Sequence, residues 1–156
     1  MNSHTPLHWQ DEWLLGIESL DRDHQTMVRL INDLIADEEQ GAPPLGERLD
    51  RLLAHLRRHF EAEEAFLRTI GYPDYCAHRQ EHLMELVEFT QLRQDVERSE
   101  APRLDLQSYN EIKYWFLNHA VLVDQLFARY YRHYLSTHPA PDESRAVEIP
   151  RCDPLE

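Results

Sequence analysis

Glycine is almost missing from the interior of this 156-residue sequence, and the few breaks are bunched. Turn-forming clusters fall at three places: Gly41 to Gly46 (GAPPLG), Gly71-Tyr72-Pro73 and Ala101-Pro102. Between them run long stretches in which apolar residues recur at three- and four-residue steps, the period of an amphipathic helix. The first runs from about Asp21 to Gln40 (Met27, Leu30, Ile31, Leu34, Ile35) and the second from Leu45 to Ile70 (Leu49, Leu52, Leu53, Leu56, Phe60, Leu67). The third runs from Asp74 to Glu97 (Leu83, Leu86, Val87, Leu92). The fourth runs from Leu104 to Leu135 (Ile112, Trp115, Phe116, Leu122, Leu126, Phe127, Tyr130). No alternating pattern competes for a strand. Four helices on short connections must pack against their sequence neighbours, which predicts an all-α, up-down-up-down antiparallel four-helix bundle over residues 19–135. Residues 1–18 read as an N-terminal arm pinned by Trp9, Trp13 and Leu14. Residues 136–156, with Pro139, Pro141, Pro150 and Pro154, read as a flexible tail.

A formal charge of −13 argues against nucleic acid as a partner, because an acidic surface repels phosphate backbones. No apolar run is long enough to span a bilayer. The N-terminus lacks the basic-then-apolar order of a signal peptide, so a cytoplasmic, monomeric protein is expected. Cys76 and Cys152 lie far apart and suggest no disulfide framework; Cys76 is read as a small packed hydrophobe.

Ten histidines are many for this length, and several stand at helical spacing. His78 and His82 are four apart on the third helix, about 40° around its axis, so both can reach one metal. His59 and Glu63 repeat that spacing on the second. Such a pair alone is usually a solvated face. His24 on the first helix and His119 and Asp124 on the fourth change the weighing, since every helix then sends a ligand-type group inward. Burying so many ionisable groups needs compensation, and metal cations supply it. His119 and Asp124 are the awkward pair: five residues apart, an ideal helix separates them by about 140°. A single π-turn would bring them together.

The segments WLLGIESLDRDH (Trp13 to His24), HFEAEE (His59 to Glu64), YPDYCAHRQEH (Tyr72 to His82) and WFLNHAVLVD (Trp115 to Asp124) resemble the hemerythrins of the bacterial single-domain type. The resemblance runs from about residue 9 to 135. It implies two iron ions with a bridging hydroxide or oxide, held by His24, His59, Glu63, His78, His82, His119 and Asp124. By resemblance, His78, His82 and His119 hold one iron, His24 and His59 the other, and Glu63 and Asp124 bridge. The first iron is then six-coordinate and the second keeps one position open for a small ligand. The resemblance implies reversible dioxygen binding for carriage, storage or delivery, with an oxygen-consuming enzyme as recipient, rather than an enzyme with catalytic residues of its own. The competing readings are a sensor of oxygen or nitric oxide and a peroxidase- or oxidase-like di-iron enzyme. The ligands themselves also suit manganese or zinc. The absence of any Glu-x-x-His separates the chain from carboxylate-rich di-iron bundles.

Two departures from the family stand near the open position. Phe116 and Ala120 replace the usual Leu and Ile, exchanging volume across one oxygen pocket. Asp23 replaces a common Gln before His24, where it either disturbs that histidine's hydrogen bonding or faces water. His4, His8, His133 and His138 are read as solvated. His55, one turn from His59, is read the same way or as a partner to a ligand.

Overall fold

The computed structural model describes residues 4–142, 144–145 and 147–152. Its helices are α1 (Glu18–Asp33), α2 (Leu45–Thr69), α3 (Tyr75–Arg98), α4 (Leu106–Phe116) and α5 (Asp124–Thr137). A π-helical stretch, Leu117–Val123, joins α4 to α5, so that these three make the fourth rod of a four-helix bundle. Short 3-10 turns occupy Asp11–Trp13 and Glu38–Gln40, and no strand occurs among the described residues.

Cross-helix contacts fix the topology. Asp23 meets His59 while Arg48 meets Asp33, so α1 and α2 run antiparallel. Asp50 pairs with Arg93 and Glu63 with His78, which sets α2 against α3. Phe89 packs on Trp115 and Glu85 bonds His119, which sets α3 against the fourth rod.

Local chemistry explains the helix ends. Asp105 accepts from the Ser108 amide at 2.7 Å and caps α4. After α2, the Tyr72 amide returns to the Leu67 carbonyl and the Gly71 amide to that of Arg68, with Gly71 at φ +65. This double closure needs a left-handed residue, which glycine provides without a Cβ clash. The first helix stops at Asp33, short of the expected Gln40. The buried Arg48 guanidinium bonds the Asp33 and Leu34 carbonyls at 3.0 and 2.7 Å and the Pro43 carbonyl at 2.8 Å, satisfying the acceptors that a longer helix would have used.

The arm lies on the bundle. Asn32 bonds both the amide and the carbonyl of Leu7, at 2.8 and 2.9 Å. Trp13 packs edge-on between Trp9 and Phe116. Leu14, expected to pin the arm, is 43% exposed; Leu15 is the buried anchor, its amide held by buried Asp21 at 2.6 Å.

The apolar core comes in two clusters. The larger joins Met27, Ile31, Leu52, Leu56, Phe60, Tyr109 and Phe116 among others. The smaller, toward the other end, joins Leu15, Leu20, Phe66, Leu67, Tyr75 and Phe127. Between them lies a layer of buried polar side chains. That layer overturns part of the expected core: Leu83, Val87, Leu122 and Leu126 are exposed. On α3 the inward face belongs instead to Tyr75, His78, His82 and Phe89.

Candidate metal centre

Every side chain singled out as a ligand is buried in this middle layer, with Glu63 and Asp124 at 0% exposure. Each helix supplies its share at the expected spacing. His59 and Glu63 sit one turn apart on α2, and His78 and His82 one turn apart on α3. His24 comes from α1. The awkward pair is reconciled by the π-helical stretch. The Asp124 amide donates to the His119 carbonyl, an i to i−5 bond that winds in one extra residue and returns Asp124 to the face of His119.

The ligand-type atoms form two groups, each within 4.8 Å: Glu63 with His78, His82 and His119, and Glu63 with His24, His59 and Asp124. Glu63 belongs to both. Asp124 also reaches across, with Oδ2 3.1 Å from His24 Nε2 and Oδ1 3.3 and 3.4 Å from the Nε2 atoms of His78 and His119. His59 Nε2 lies 3.1 Å from Glu63 Oε2, and His78 Nε2 touches Glu63 Oε1.

These residues fit a metal pair. Buried polar atoms are normally hydrogen-bonded, and an orphan costs about 1–3 kcal/mol. Yet Nε2 of His24, His59 and His119, Oε2 of Glu63 and both carboxylate oxygens of Asp124 have no hydrogen-bond partner. They are close to one another without being aligned on one another, so they converge on shared centres. Cations there would satisfy all six.

Carboxylates stand behind the imidazoles. His59 Nδ1–H donates to Asp23 at 3.0 Å, and His119 Nδ1–H to Glu85 at 3.0 Å. Glu64 lies 3.5 Å from His82 Nδ1. Each contact orients its ring so that Nε2 faces inward, and makes the ring a better donor. Asp23 therefore acts on His59, not on the adjacent His24. The Glu64 side chain is 15% exposed, and neither Glu64 nor Glu85 was singled out from the sequence. His55 is no ligand. Its ring donates to the Asp23 carbonyl at 2.9 Å and stacks on His59, 6° from parallel. The remaining histidines lie elsewhere: His4 beside Leu104 and Tyr109, and His138 stacked on Tyr134.

The electrostatics follow. Burial works against a charged His59, but its bonds to Asp23 and Glu63 push it up to about 9. Burial likewise opposes charge on His119, and the Asp124 carboxylate with Glu85 pushes it up to about 10. Burial would raise Glu63, yet contacts from His59, His78 and His82 hold it well below the usual carboxylate range. The layer thus has the negative potential that draws cations.

Phe116 and Ala120 are both buried. The Phe116 ring meets His24 edge-on at 6.2 Å and Trp13 at 5.6 Å, so it walls the His24 side of the centre. Among the described residues, no helix is long and apolar enough to cross a membrane.

The chain matches the family described as Hemerythrin HHE cation binding domain over residues 15–133. It is 27% identical over 123 residues to a bacteriohemerythrin of Stenotrophomonas maltophilia (strain R551-3), spanning 78% of this chain and 79% of that protein. It is 28% identical over 108 residues to a bacteriohemerythrin of Methylococcus capsulatus, spanning 69% and 82%. The fold matches a crystal structure of wild-type hemerythrin with a TM-score of 0.68 at 24% identity, over 80% of this chain and 97% of that one.

Proposed function

The chain belongs to the hemerythrin HHE cation-binding family, and from that premise we propose that it binds dioxygen reversibly at a non-heme di-iron centre. In this reading His78, His82 and His119 hold one iron, His24 and His59 the other, and Glu63 and Asp124 bridge them. Residues 19–135 are the ligand-bearing unit, with arm and tail as appendages, and a monomer carries or delivers dioxygen in the cytoplasm to an oxygen-consuming enzyme. The observation that carries the reading is the split of the buried donors: three imidazoles on one side, two on the other, and two carboxylates that reach both.

An iron pair held by these residues would supply two reducing equivalents to a small molecule. The protein's part is to hold, shield and orient. Asp23 fixes the His59 ring and Glu85 the His119 ring, so ligand geometry is set before metal arrives. Five imidazoles against two carboxylates favour the ferrous state more than a carboxylate-rich shell does. Phe116 and Trp13 keep water from the His24 side. Exclusion of water slows hydrolytic loss of a bound small molecule. Among the described residues, Asp23 and Glu85 beside the centre are each bonded by an imidazole, and Glu64 lies 3.5 Å from His82.

The test is an absorption spectrum of iron-loaded, reduced protein before oxygen, after oxygen and after argon purging. Reversible binding gives a charge-transfer band that appears with oxygen and fades with argon. A band that persists until reductant is added overturns the carrier reading in favour of a sensor or a redox enzyme on the same site.

A further inference from the structure

Cys76 and Cys152 form a disulfide across 76 positions of sequence, contrary to the expectation that they would not pair. Cys76 stands two positions before His78. Cys76, Tyr72 and Cys152 pack on the smaller apolar cluster, and the His78 ring meets Phe127 of that cluster at 5.6 Å. The bridge therefore sits at the end of the bundle directly beneath the ligand layer.

The segment it retains is otherwise poorly attached. Among the described residues beyond Thr137, the hydrogen bonds are local: His138 to Tyr134, and Ser144 and Arg145 to Asp142. Val147 and Ile149 line a groove of about 550 Å³ together with Leu20, Ala62 and Phe66 but stay 41% and 63% exposed. A strap that packed for its own sake would bury those two side chains. This one spans a gap and is held at its far end by one covalent bond. Disulfides in reducing compartments are typically transient and redox-responsive, and exposed ones are the more labile.

We propose that the Cys76–Cys152 bridge is a thiol–disulfide switch whose reduction by a dithiol releases the 138–152 strap and loosens the first turn of α3, which carries His78. A reductant thiolate attacks one bridge sulfur and forms a mixed disulfide. The reductant's second thiol resolves it, closing the reductant's own disulfide. Two electrons and two protons thereby pass to Cys76 and Cys152, which become free thiols. The apolar groove at Phe66 is then uncovered, and the turn before His78 loses its outer tether. The proposal takes its compartment from the preceding reading, but its test does not need dioxygen to bind.

The test uses iron-loaded full-length protein under native buffer, untreated or incubated with dithiothreitol, with thiols then alkylated and counted by intact mass. Amide hydrogen exchange is followed in both states and in Cys152→Ser. The expected result is a bridge present after aerobic purification and opened by reductant without denaturant. Amides at 147–152 then lose protection and those at 75–80 exchange faster. Cys152→Ser shows the same pattern without reductant and no further response to it. Free thiols in the aerobic protein, a bridge that yields only after unfolding, or identical exchange in the two states would each overturn the proposal. A spectrum unresponsive to oxygen leaves all these readouts intact, so the two readings fail separately.

Discussion

Removing the bridge should destabilise the protein far less than its span suggests. In the chain-entropy account, a cross-link stabilises by restricting the unfolded chain. For a loop of 76 residues this amounts to about 4.5 kcal/mol. The same cross-link also restricts the folded protein here, because the described residues between Thr137 and Cys152 are scarcely packed. Closing that loop of roughly 15 residues in the native state costs about 3 kcal/mol on the same scale. The difference, about 1.5 kcal/mol, is what Cys152→Ser should lose. For a protein of this size it lowers the melting temperature by about 3–6 °C. The assay is thermal unfolding by far-UV circular dichroism on wild-type and variant proteins of equal iron content, since metal bound to the native state adds its own stabilisation. A loss near the full 4.5 kcal/mol would mean that the strap is packed and ordered without the bridge, which refutes the reasoning. No loss would mean that the bridge does not form.

Asp23→Ala removes the carboxylate behind His59 and should weaken metal binding by about 10–100-fold, read by competition with a chelator; unchanged affinity would assign Asp23 to the surface. The Phe116→Leu/Ala120→Ile double variant restores the volumes usual in the family and should change the autoxidation rate of the oxygenated protein, and equal rates would remove both residues from the pocket wall. In metal-stripped protein, His59 and His119 titrate near 9 and 10 rather than near 6.5. The folded form therefore holds protons that the unfolded form gives up, and the stability from this term is full below about 6.5 and lost as pH climbs through 9 and 10. Its melting temperature should fall across that window, while apparent metal affinity rises as the competing protons leave; a flat profile for both contradicts the sign. Deleting Val121 removes the extra residue of the π-helical stretch and leaves His119 and Asp124 four apart, which a regular α-helix holds about 40° apart on one face. Bound iron, measured by elemental analysis, should then stay near full loading, and its loss would refute the reading of the stretch as one extra residue.

The bundle was legible because its breaks are sparse and its apolar period is regular. The all-α class and the starts of α2 and α3 agree with the structure within a residue. The end of α1 was not legible, because its cause is Arg48, fourteen residues beyond Leu34 in sequence but bonded to that carbonyl. The inward face of α3 was misread for a related reason. Apolar periodicity finds the core only where the core is apolar, and here the inward stripe carries His78 and His82 while Leu83 and Val87 face out. His59 with Glu63 and His78 with His82 stood out by their spacing, whereas spacing alone does not pick the five-apart pair His119 and Asp124; the resemblance supplied the full set and its division between two irons. The carboxylates behind the imidazoles were not. Asp23 was read as disturbing its chain neighbour or facing water, whereas its partner lies 36 positions away, and Glu85 serves a histidine 34 positions away. Such pairings depend on helix register, as does the union of Cys76 with Cys152, and single-sequence periodicity does not resolve it.

The extra residue wound into the fourth rod has a reach beyond the pair it reconciles. A π-turn is a frameshift written in space: every position after it is re-indexed by one relative to an unbroken α-helix. Phe127 and Ala128 accordingly face the smaller cluster, and Leu122 and Leu126 face out. The offset is thus counted twice, once where it seats a carboxylate among imidazoles and once along the whole of α5, whose inside and outside it chooses. Restoring a regular helix would not only misplace Asp124; it would turn this last segment over, and the wall beneath the ligands with it.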